Sequence, residues 1–219
     1  MRQLQKAATV AAFLISVGML IHAGNAFYFE PQTLGFEDPS KDYADMAKIA
    51  NAQWSYSFTS SGISHIVVGF SLIILGLFFS ELFRPALPIA ARLVSISSLL
   101  AGLGFLLTGI SDIPGTVYTG LLRDMNQPHN TEILLSQTIF RGMVNILAIT
   151  CLGWFAGMIS WCARQTDTFS KALRIFGWVV VLPGLLGLAN PVFGFAYISL
   201  VLIWMPWLGL SIRKLEVGS

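Results

Sequence analysis

Four stretches of this chain, at about 7–29, 62–80, 92–112 and 133–160, run for roughly 20 residues or more with hardly a charge. An α-helix needs about that length to cross the ~30 Å hydrocarbon layer of a bilayer. Within that layer no water is present to satisfy backbone N–H and C=O groups, so each crossing segment must close its own hydrogen bonds as a helix. Composition agrees: 55% of the residues are hydrophobic and only 11% charged, against about 25% charged in an ordinary soluble domain. The expectation is one all-α, polytopic membrane helix bundle over residues 1–219, with the lipid bilayer as its solvent.

Between Arg174 and Ile212 the apolar character continues past Leu188-Ala189-Asn190-Pro191, where Asn-Pro favours a turn. Two short spans, about 174–189 and 192–212, bring the expected number to six. Basic residues favour this count. Six spans place Arg2, Lys6, Arg84, Arg92, Arg164, Lys171, Arg174, Arg213 and Lys214 on the cytoplasmic side and leave Lys41, Lys48 and Arg123 outside. Both termini are then cytoplasmic, in a multi-pass protein of the cell (inner) membrane. Arg2, Lys6, the apolar run behind them and Ala23-Gly24-Asn25-Ala26 also look like a secretory signal peptide; the expectation is that this segment is kept as the first span.

The first outer loop, about 30–61, contains Asp38-Pro39 and Asp42, a helix start with a cap, proline in the first turn and early acid. Tyr43, Met46, Ile49, Ala50 and Trp54 follow at helical spacing, which predicts a short amphipathic helix lying on the outer surface. The second outer loop, about 113–131, holds Pro114-Gly115, Gly120 and Pro128 and is expected to be irregular. Tryptophans 154, 161, 178, 204 and 207 fall where an inner interfacial belt belongs, and Phe27, Tyr28, Phe29 and Trp54 where an outer one does. Pro183 and Pro206 lie inside the last two spans and are expected to kink them or open a cavity.

Several function classes find no support in the sequence, although acid/base work by His22 or His65 with Asp112 stays open. A net charge of +2 with scattered basic residues is no nucleic-acid surface. Cys151 and Cys162 are roughly 16 Å apart along one helix and cannot pair. Without CxxC or a Cys/His cluster, structural zinc has no support, and no HExxH, GxSxG or paired-acid motif points to an enzyme.

Polar groups inside hydrocarbon are costly, and each one is a candidate functional residue. Arg141 stands out, with Gln137 and Asn145 four residues to either side on the same helix face. His22 and Asn25 share a face of the first span, His65 opens the second, and Asp112 closes the third. All lie in the outer half, which predicts a polar cavity there, beneath the first outer loop. Arg141 would meet a small anionic or amphiphilic molecule that is bound or passed through, or else pair with Asp112 or Glu132 as a structural bond. His22 is the deeper histidine in this reading. His65 is expected at the interface, hydrogen-bonded to a loop carbonyl.

Two other classes stay open. A haem- or pigment-bearing electron-transfer or light-harvesting subunit would use His22 and His65 as the ligands of haem b, with Arg141 at a propionate. A site-less accessory subunit would instead pack against other membrane subunits or copies of itself through its lipid-facing surfaces.

Overall fold

The structure, a computed structural model, describes residues 1–25, 27–28, 43–124, 130–187 and 192–216; in 43–59, in 114–124, at several positions of 130–138 and at 192 and 195 it describes the backbone alone. Those residues form six helices and no strand: α1 (Arg2–Gly24), α2 (Tyr43–Phe83), α3 (Pro88–Asp124), α4 (Asn130–Thr166), α5 (Lys171–Leu186) and α6 (Val192–Arg213). Five carry segments long and apolar enough to cross a membrane: Arg2–Gly24, Ser60–Phe83, Pro88–Ile113, Ile139–Thr166 and Ala196–Arg213. With 16 residues α5 is shorter, about 24 Å at 1.5 Å per residue. The chain is a multi-pass, membrane-type helical protein.

Two expectations about the loops change. Residues 43–59 do not form a separate surface helix; they continue into α2, which runs unbroken for 41 residues. The second loop is likewise mostly helix, because α3 continues through Pro114 to Asp124 and α4 already starts at Asn130. Helix propagates more easily than it starts afresh, so a helix-compatible segment extends an existing span rather than forming its own nucleus. The Asp38-Pro39 start signal and the Asn190-Pro191 turn lie outside the described residues.

Each helix packs on its neighbours in sequence, and α1 packs on α6, so the helices close into a ring. The closure has a polar tie: the Gln5 amide on α1 donates to the carbonyls of Ile212 (2.8 Å) and Leu215 (2.7 Å) at the end of α6. The Ile212 carbonyl also takes the Leu215 N–H at 3.1 Å, so the tie holds the turn that ends α6. Nearby, Gly209 lets α6 approach α1, since a Cβ there would meet that of Ala12 at 3.1 Å. Between α4 and α5 the turn is set by Asp167, whose φ of 51° ends α4 in the left-handed region. Its carboxylate accepts from Arg174 at 2.7 Å, and the Ser170 side chain caps α5 through the Leu173 N–H.

At the end of the bundle where α1 begins, the core is aromatic. Phe79 packs on Phe83, Phe155 and Phe169 with ring centroids 5.8–6.3 Å apart. Trp204, expected in an interfacial belt, is also buried here, only 1% exposed. Gly177 borders it: a Cβ there would collide with the Ser160 hydroxyl and lie 3.3 Å from the indole nitrogen. Trp161 and Trp178 do face outward, as do Phe27 and Tyr28 at the other end. Cys151 and Cys162 are free thiols.

A close, glycine-lined crossing joins α2 to α3. Gly62, Gly69 and Gly76 recur every seven residues on α2 and meet Gly109, Gly102 and Ser98 of the antiparallel α3. A Cβ on Gly69 would lie 2.7 Å from the Gly102 carbonyl oxygen, and one on Gly102 2.8 Å from that of Gly69. Small residues at such crossings allow backbone-to-backbone packing, which drives helix association where lipid offers no hydrophobic gain. Gly69→Ala and Gly102→Ala are each expected to cost about 1–3 kcal/mol and to lower the thermal midpoint in detergent. Gly142→Ala, in open space, is expected to leave it unchanged or raise it.

Candidate functional site

The crossings that bind α1, α2, α3 and α4 also bring together one ionisable side chain from each. Gly18 seats α1 against Val68 and the Ser64 carbonyl, one turn below His22 and one residue from His65. Gly62 and Gly109 do the same for α2 and α3, and a Cβ on Gly62 would lie 3.2 Å from that of Asp112.

Four side chains then form one unbroken line of contacts. His22 Nδ1 lies 3.0 Å from His65 Nε2, His65 Nδ1 lies 3.1 Å from Asp112 Oδ2, and Asp112 Oδ1 forms an ion pair with Arg141 Nε at 2.5 Å. Asp112 is completely buried and His65 nearly so, while Arg141 is 20% exposed. His22 is half-buried. Phe105 closes one side of His65 at a ring distance of 5.9 Å. The line therefore has a buried middle and two ends partly open to the surroundings.

Hydrogen-bond bookkeeping fixes the tautomers. Asp112, paired with Arg141, acts as the acceptor, so His65 Nδ1–H donates to it and His65 Nε2 is left as an acceptor. His22 Nδ1–H then donates to His65, which leaves His22 Nε2 as the free end of the line. A proton delivered to that end can be passed on by switching tautomers, ending on His65 beside the carboxylate.

The partners of His65 differ from those expected from the sequence. Both ring nitrogens of His65 face side chains of other helices, Asp112 and His22, rather than a loop carbonyl. Its partners come from other helices, and spacing along α2 does not reveal them.

Asn145 Oδ1 is buried without a hydrogen-bond partner, as are Thr150 Oγ1 and Tyr197 OH. The Asn25 N–H is used by the Ile21 and His22 carbonyls. Gln137 is on α4, but its side chain lies outside the described residues. Thr108 is satisfied within its own helix, by the Gly104 carbonyl at 2.9 Å. Gln5, Gly62 and Gly109 were missing from the sequence reading; the seven-residue glycine spacing is a signal that points to the last two.

The arrangement does not suit a haem between the two histidines. Their facing nitrogens are 3.0 Å apart, hydrogen-bond distance, and Arg141 is directed at Asp112. Bis-histidine ligation requires the rings to part. Among the described residues no group of three or more metal-binding side chains converges. No protein-family model, curated protein or solved structure matches the chain.

Charge balance across the line is directly testable. Removing one partner of a buried ion pair leaves an uncompensated charge and costs about 3–5 kcal/mol, whereas removing both is much milder. Arg141→Gln and Asp112→Asn are each expected to lower the thermal midpoint sharply, and the double variant to recover most of the loss. A double variant as unstable as the sum of the singles would show that the two side chains do not act as a pair.

Proposed function

We propose that this chain is a six-span protein of the cell membrane, with both termini cytoplasmic, that binds or passes a small anionic or amphiphilic molecule and takes up a proton with it. The observation that carries this reading is the unbroken contact line from His22 to Arg141 across four helices. The orientation rests on the excess of basic residues at the end where α1 begins.

Asp112 already neutralises Arg141, so with neutral imidazoles the site carries no net charge. An anion entering it brings one uncompensated negative charge into a poorly solvated region, which is unfavourable. The imidazoles are the groups able to restore balance, since histidine gains its proton nearest to neutral pH. A proton entering at His22 Nε2 and settling on His65 faces Asp112 from α3, His22 from α1 and Arg141 from α4. It lets Asp112 bond to His65 while the exposed part of Arg141 turns to the anion.

The sign of the pH dependence follows. Binding that takes up a proton strengthens as pH falls, by up to about tenfold per unit while the free site is unprotonated. Thermal shifts with acetate, benzoate and laurate, measured from pH 8 to pH 5.5, are expected to grow toward acid. His22→Gln is expected to flatten this dependence, and Asp112→Asn/Arg141→Gln to abolish the shift while the protein stays folded. Binding that is indifferent to pH, or that survives in the double variant, removes the support for this reading. In that case the line serves only as an internal tie of an accessory subunit.

A further inference from the structure

At the opposite end of the bundle a second feature is built from different residues. An apolar groove of about 710 Å³ runs along the outside of α4, with Trp154 and Trp161 in its floor, Leu93 of α3 on one wall and Trp178 and Leu185 of α5 on the other. Gly157 gives it depth, since the floor has no side chain where α4 meets Val181. From Trp154 to Trp161 the groove covers roughly 10 Å of helix, within the ~15 Å hydrocarbon depth of one leaflet.

Two cations continue the helix faces that carry its tryptophans. Arg164 lies one turn beyond Trp161 on α4, and Lys171 two turns before Trp178 on the same face of α5. Both are exposed, and neither has an ion-pair partner among the described residues; by contrast Arg84 is matched by Glu81 and Arg174 by Asp167. The N-termini of α3 and α5 point to the same end, adding the positive ends of two helix dipoles.

We infer that this groove is a binding site for an anionic phospholipid, one acyl chain lying along the tryptophan floor and the headgroup phosphate held between Arg164 and Lys171. An uncharged groove of this kind would take any acyl chain, and the two uncompensated cations are what select the headgroup. Under the orientation proposed above, the lipid comes from the cytoplasmic leaflet. The site itself requires only that this end meet a membrane surface.

The test is tryptophan quenching in phosphatidylcholine vesicles doped with dibrominated phosphatidylglycerol or, at the same mole fraction, dibrominated phosphatidylcholine. The brominated anionic lipid is expected to quench more strongly. Arg164→Gln/Lys171→Gln is expected to lower the relative affinity roughly fivefold for each cation removed, with quenching by the brominated phosphatidylcholine unchanged as the control for folding. Trp161→Phe/Trp178→Phe should remove most of the selective part of the signal. Equal quenching of the native protein by the two lipids would overturn the proposal in favour of an unselective lipid contact. Absence of quenching by either would overturn it in favour of a groove covered by protein, such as a second copy of the chain.

Discussion

A charge placed in hydrocarbon must be met by an opposite charge or it will not stay there. In this protein the Asp112–Arg141 pair meets that requirement between α3 and α4, with the carboxylate entirely buried. Much of the upper bundle is arranged around the pair. The other oxygen of Asp112 takes the His65 N–H, His65 in turn takes that of His22, and in this way four helices are joined through one carboxylate.

Backbone proximity makes the line possible. Imidazole and carboxylate side chains are short, so they reach one another across helices only where the main chains nearly touch. Gly18, Gly62 and Gly109 supply those approaches at the same height as the polar groups. The glycines and the charges are thus parts of one device: the crossings bring the polar atoms within reach, and the contacts among polar atoms fix how the helices are rotated. At the other end, where no charge has to be buried, Phe78, Phe79, Phe83, Phe155 and Trp204 fill the interior instead.

This polarity within the bundle bears on function. The aromatic end is closely packed and sealed by Gln5 against the last carbonyls of α6, while at the opposite end the half-buried His22 and the partly exposed Arg141 flank the buried middle. In the function proposed above, this electrically balanced site takes up an anion together with a proton. That property follows from the Asp112 contact, which turns Arg141 from a free cation into half of a pair.

The apolar runs by themselves determined the solvent, the helical fold and the approximate positions of most spans, because hydrocarbon length and backbone hydrogen bonding leave few alternatives. Sequence likewise singled out His22, His65, Asp112 and Arg141, since polar groups are conspicuous against an apolar background. It put His65 on a loop carbonyl, placed Trp204 at a surface, and broke α2 and α3 where they continue as helix. Those points depend on what faces each residue from another helix, and on whether a neighbouring helix is there to be extended. Only the tertiary structure decided that the four polar residues form a single line and that Arg141 is already neutralised. Rotation about each helix axis and the distance of closest approach are set jointly by glycines on partner helices, and no one-dimensional spacing contains that information.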